Sequence, residues 1–133
     1  MAYRYELNVY VAEQGGKSCS AIDIKGFYKK ETQSRRVISG FGFDGIQKAV
    51  DKSLMLALAH CKNLNSNFII NMNKPHSEDN PILVSYLSRT NKIDILINDH
   101  SMFLKYVALT MLGKEETKWQ DITQNDTILK NDT

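Results

Sequence analysis

Phe41-Gly42-Phe43-Asp44-Gly45-Ile46-Gln47-Lys48-Ala49-Val50-Asp51-Lys52-Ser53-Leu54-Met55-Leu56-Ala57-Leu58-Ala59-His60-Cys61 is the stretch on which the reading of this chain turns. Before it the residues have strand character. From Ile46 onward, Ile46, Ala49, Val50, Leu54, Ala57, Leu58 and Cys61 recur every three or four residues, the period of one buried helical face. Met55, Leu56 and Ala59 widen that face, so the helix is expected to lie against a sheet and to touch other helices. Asp44 followed three residues later by Gln47 predicts a capping box at its start. Gly42 and Gly45 loosen the backbone on either side of the turn.

Working back from this helix, Tyr3, Tyr5, Leu7, Val9 and Val11 alternate with Arg4, Glu6, Asn8 and Tyr10, which predicts a strand with one buried face. Gln14-Gly15-Gly16-Lys17 breaks it. A second strand is expected over Ser18 to Phe27, with Ile22 and Ile24 on one face, Cys19, Ala21 and Asp23 on the other, and Gly26 at its end or at a bulge. A third, Arg35 to Phe43, sets Val37, Ser39, Phe41 and Phe43 on one side. Three strands with short links predict an antiparallel meander.

Working forward, Phe68-Ile69-Ile70-Asn71-Met72-Asn73 and Ile93-Asp94-Ile95-Leu96-Ile97-Asn98 are short apolar runs, expected as inner strands covered on both faces. Between them Asn80-Pro81 predicts a helix start, because proline at the first helical position loses no hydrogen bond. Ile82, Leu83, Tyr86 and Leu87 give that helix its stripe. Asp99 or Ser101 can cap a last helix carrying Phe103, Tyr106, Val107 and Met111, which Gly113 ends. The domain is therefore expected over residues 1–113. Residues 114–133 form a polar, partly loose tail whose first part Trp119 can pin to the body.

Composition narrows the function classes. With 133 residues, 42% hydrophobic and 24% charged, the chain has the make-up of one globular domain. A net charge of +2 gives no overall basic excess, so any case for nucleic acid rests on local patches. No apolar run approaches a membrane span and no signal core opens the chain, so a cytoplasmic location and no membrane partner are expected. Cys19 and Cys61 show no metal-ligand spacing and are expected as buried free thiols. His60, His76 and His100 are equally scattered. Gln14-Gly15-Gly16-Lys17-Ser18 lacks the glycine spacing and the following helix of a phosphate loop.

The order of three strands, long helix, strand, short helix, strand and helix resembles the ribonuclease H-like superfamily over roughly residues 3 to 112. The resemblance implies an α/β fold with a five-stranded mixed sheet, an antiparallel meander of three strands followed by two parallel strands, flanked by helices. It also implies carboxylates at one sheet edge holding two divalent ions, Mg²⁺ or Mn²⁺, that activate water against a phosphodiester. The matching positions depart from that pattern. Ala12-Glu13-Gln14-Gly15 replaces the Asp-Gly of the first strand, Asp51 stands on the helix, Asn73 replaces the carboxylate that ends the fourth strand, and Asp99 and His100 follow the fifth. Losing a negative charge at Asn73 weakens any site for hard cations, so the expectation is binding without catalysis and without a cofactor.

The densest basic patch is the hairpin with Lys25, Lys29, Lys30, Arg35 and Arg36, in which Phe27 and Tyr28 are interleaved. Such a hairpin can follow a phosphate backbone while its aromatics stack on bases. Lysines at a sheet edge also serve simply to discourage aggregation. Three functions stay open at this point. One is an accessory or inhibitor protein, of the kind phages and mobile elements encode, binding nucleic acid or a nucleic-acid-processing protein. The second is a divergent metal-dependent nuclease using Glu13, Asp51 and Asp99 with His100. The third is a homo-oligomeric interaction module.

Overall fold

The meander forms because alternation runs through three long segments joined by short links. The computed structural model describes residues 3–14, 17–28, 31–43, 45–61, 66–89, 92–98, 101–109 and 120–121. Strands β1 (Tyr3–Gln14), β2 (Lys17–Tyr28) and β3 (Glu31–Phe43) pair antiparallel in sequence order. The β2–β3 register slips between Gly26 and Phe27, at the glycine expected to mark a bulge. Helix α1 (Ile46–Ala59) then crosses to β4 (Asn67–Met72), which lies parallel to β1. Helix α2 (Pro81–Ser88) leads to β5 (Lys92–Ile97), parallel to β4, and α3 (Met102–Leu109) follows. The five strands form the expected mixed sheet in the order β5-β4-β1-β2-β3, and a two-residue strand β6 (Gln120–Asp121) pairs with β3 outside them.

The two faces of this sheet are covered unequally. On one, Leu7, Val9 and Val11, with Ile22, Phe68 and Ile70, meet Ala49, Val50, Leu54, Ala57 and Leu58 of α1 in a continuous core. Each fully buried aliphatic side chain there contributes roughly 1.5–3 kcal/mol of transfer free energy. Tyr5 stacks on Phe68 with ring centroids 5.1 Å apart. Within this core Ser53 Oγ donates to the Ala49 carbonyl and so uses its one proton, which leaves Ser20 Oγ as donor to Ser53. On the other face, α3 sets Leu104, Val107 and Ala108 against Tyr10, Cys19 and Ala21. Cys19 and Cys61 are both free and buried.

Three local expectations need correction. Helix α1 has Gly45, not Asp44, at its N-cap, with no side-chain cap bond. Asp44 lies outside the described residues, and Gln47 reaches forward to Asp51 and Pro75 instead of back. Gly45 takes φ 96° and ψ 159°, a region essentially reserved for glycine. β4 is not dry on both sides: its burial alternates, with Asn67, Ile69 and Asn71 half-exposed on the face that α3 leaves open. β5 is not an inner strand. It ends the sheet among the described residues, and its Leu96 and Ile97 are about half exposed. Its own residues, rich in isoleucine, could not reveal that it ends the sheet among the described residues.

The later helix starts follow the sequence reading. Leu83 N–H donates to Asn80 Oδ1 at 3.1 Å, and Leu104 N–H donates to Ser101 Oγ at 3.1 Å, so Asn80 and Ser101 are the side-chain caps of α2 and α3.

Candidate functional site

β1 runs several residues beyond the end of β4, and that mismatch builds the site. The parallel ladder stops at the Val9–Met72 pair. Within a strand the N–H and C=O of one residue point to the same side, so the next such pair toward β4, that of Val11, has no strand residue opposite it. Asn73 fills the place. Its Nδ2 donates to the Val11 carbonyl at 2.7 Å and its Oδ1 accepts the Val11 N–H at 2.8 Å. The side-chain amide thus acts as one more peptide unit of β4. A carboxylate could accept from Val11 N–H, but it would face the Val11 carbonyl with a second lone pair and no proton.

Beside this lock a cleft of about 450 Å³ opens, lined by Tyr10, Val11, Ala12 and Glu13 of β1, Asn73 and Lys74 after β4, and Lys105 of α3. Clefts at the carboxyl ends of parallel strands are where α/β sheets place ligands. Glu13 and Lys74 are exposed and Lys105 half-buried. Among the described residues no carboxylate lies within 4.0 Å of either lysine's ammonium, the described ion pair being Lys25 with Asp23.

Of the residues singled out in the sequence, Glu13 and Asn73 line this cleft. Asp51 instead accepts the Ser77 N–H at 2.7 Å and Gln47 Nε2 at 3.1 Å through the same Oδ1, tying α1 to the segment before α2. Asp99 and His100 lie outside the described residues. Among the described residues, no three of His, Cys, Asp and Glu are placed to hold a metal ion. Lys74 and Lys105 went unremarked in the sequence. The signal that could have found them is position alone, Lys74 two residues after the end of a parallel strand and Lys105 four residues beyond the Ser101 cap.

The basic hairpin is differently arranged. Lys25 Nζ lies 3.9 Å from Asp23 Oδ2, and Asp23 is almost wholly buried. The Arg4 guanidinium sits 4.7 Å from the centroid of the Phe27 ring, occupying one face of an aromatic expected to stack on bases. Arg36 Nη1 donates to His60 Nδ1 at 3.3 Å. Tyr28 is 41% exposed. Lys29 and Lys30 lie outside the described residues, and of Arg35 only the backbone, in β3, is described.

Burial pushes the Cys61 thiol up to about 12, and it raises that of Cys19 as well, against the lowering effect of the Cys19 hydrogen bond to the Ala12 carbonyl. Both thiols are thus held in the protonated, less nucleophilic form more firmly than a free cysteine. Among the described residues no helix is long and apolar enough to cross a membrane.

This architecture is found in solved structures. Ribonuclease H1 from the halophilic archaeon Halobacterium salinarum NRC-1 superposes with a TM-score of 0.51, at 10% identity, over 84% of this chain and 99% of that one. LC9-RNase H1, a type 1 ribonuclease H with the type 2 active-site motif, superposes with a TM-score of 0.57, at 8% identity, over 95% of this chain and 80% of that one. The fold is ribonuclease H-like. No protein-family model matches the sequence, and no curated protein matches it significantly.

Proposed function

We propose that this chain is a non-catalytic nucleic-acid-binding protein built on a ribonuclease H-like scaffold. The observation that carries the reading is the Asn73 lock, since the position where the fold's nucleases need a metal-binding carboxylate holds an amide with both polar atoms committed to Val11. Among the described residues the donor set fits two divalent ions poorly. Asp51 is engaged by Ser77 and Gln47, and the cleft beside Glu13 carries two ammonium groups that repel cations. The same ammonium groups favour an anionic partner. The fold supports nucleic acid as that partner by analogy, and an accessory or inhibitor role is consistent with binding that does not lead to cleavage.

The test is incubation of the full chain with labelled RNA, DNA and RNA:DNA hybrid in Mg²⁺, in Mn²⁺ and in EDTA, with binding and cleavage followed in the same samples. Salt-sensitive binding that is equal in metal and chelator, with every strand left intact, is the expected result. Metal-dependent cleavage that disappears in Asp51→Asn would replace this reading with a divergent nuclease. Failure of all three substrates to bind would move the search to a protein partner.

A further inference from the structure

Resting on the nucleic-acid reading, we infer that the cleft between the end of β1, Lys74 and Lys105 is a receptor for a terminal phosphate monoester, working without a divalent ion. Three observations converge. The cleft is concave and of ligand size, about 450 Å³. Its two cations come from separate elements, the residue after the β4 extension and the middle of α3, and among the described residues neither has a carboxylate within 4.0 Å. The Asn73 amide and the Val11 peptide groups, in the same cleft, satisfy each other and are withdrawn from the ligand.

Among the described residues that line the cleft, the charged groups are the two ammonium groups and the Glu13 carboxylate. A monoester has three terminal oxygens and close to two negative charges at neutral pH, so each ammonium group can hold an oxygen of its own. That suits the cleft better than a backbone diester with two such oxygens and a single charge, even though Glu13 lowers the net charge of the three groups to +1. Glu13, an acceptor only, then selects a donor next to the phosphate; a sugar hydroxyl supplies one. The shared chemistry is a phosphate monoester on a sugar, whether it ends a strand or belongs to a free nucleotide.

The experiment compares three probes on the full chain by fluorescence anisotropy or calorimetry in EDTA: a single strand with a 5′-phosphate, the same strand with a 5′-hydroxyl, and adenosine monophosphate. The 5′-phosphate is expected to tighten binding about tenfold, on the order of 1.4 kcal/mol. Lys74→Gln and Lys105→Gln should each erase most of that gain, and Lys92→Gln on the exposed β5 should keep it. Thermal melts establish that the variants fold, and Lys105→Arg should restore the gain. Equal binding of both strands overturns the phosphate site but leaves the nucleic-acid reading standing. Binding of the mononucleotide with neither strand bound does the reverse. A phosphate preference that survives both glutamine substitutions overturns the assignment to this cleft.

Discussion

The hairpin of β2 and β3 and the cleft at the end of β1 are both basic, and they differ in what surrounds their charges. In the hairpin, Lys25 faces buried Asp23 and Arg36 meets His60, while on the neighbouring strand Arg4 covers Phe27. In the cleft, Lys74 and Lys105 share a concavity with no described carboxylate in ion-pair reach. A cation already paired, hydrogen-bonded or stacked within the fold has less to gain from a phosphate than one that is not. Counting lysines and arginines along the chain favours the hairpin, and following the partners of the described ones favours the cleft.

The comparison is most exposed at Asn73. Asn73→Asp should destabilise the protein by about 1–3 kcal/mol at neutral pH, since a lone pair replaces the donor to the Val11 carbonyl. The protonated acid can restore the donor, so the fold favours the protonated form and raises that group's pKa. The loss should therefore be small below about pH 4, where the carboxyl of the unfolded chain is protonated too, and should grow as pH rises through the folded value. Urea denaturation at several pH values measures this, and a loss independent of pH would mean that the amide is not the lock described. Gly45→Ala tests the start of α1 on a similar scale. Nothing lies within 4 Å of the added Cβ, so a cost of about 1–3 kcal/mol would come from the backbone alone.

For binding, losing one free phosphate contact should lower the slope of log affinity against log salt by roughly 0.7–0.9. Lys105→Gln is expected to show that change and Lys25→Gln a smaller one. Equal slopes in the two variants would erase the distinction between the two regions. The smallest effect belongs to Arg4→Ala, about 0.5–1 kcal/mol of stability from the stacked guanidinium.

Burial supplies a pH check independent of either basic region. Because the Cys61 thiol is raised from 9.0 to about 12, the unfolded chain ionises it first. Stability should fall from about pH 9 upward by as much as about 1.4 kcal/mol per pH unit for that thiol. Iodoacetamide at pH 8 should label Cys61 far faster in urea than in the native protein.

The element order was legible because it depends on local periodicity. Ile46 through Leu58 repeat as a helix, Tyr5 through Val11 alternate as a strand, and Asn80-Pro81 and Ser101 start helices where their side chains cap them. Position within the sheet was less legible. Ile93, Ile95 and Ile97 make β5 look like an inner strand, but coverage depends on elements elsewhere in the chain. Asn73 stood out as a replacement for a carboxylate, whereas its bond to a residue 62 positions away could not be read from either neighbourhood. Lys74 and Lys105 come to line one cleft only when β4 and α3 have docked on β1. β6, at two residues, is too short to leave a pattern.

The parallel pairing of β1 with β4 also sets the order in which the molecule can assemble. Asn71 bonds to Asn8 across 63 positions of chain, a closure whose entropy must be met before its contacts form, while the β1–β2 and β2–β3 turns close locally. The meander is therefore expected to be in place in the folding transition state, with the Asn73 lock and the cleft forming afterwards. In stopped-flow chevrons, Asn73→Ala should accelerate unfolding and leave the folding limb almost unchanged. The ligand site would then be the last part of the protein to form and the first to open.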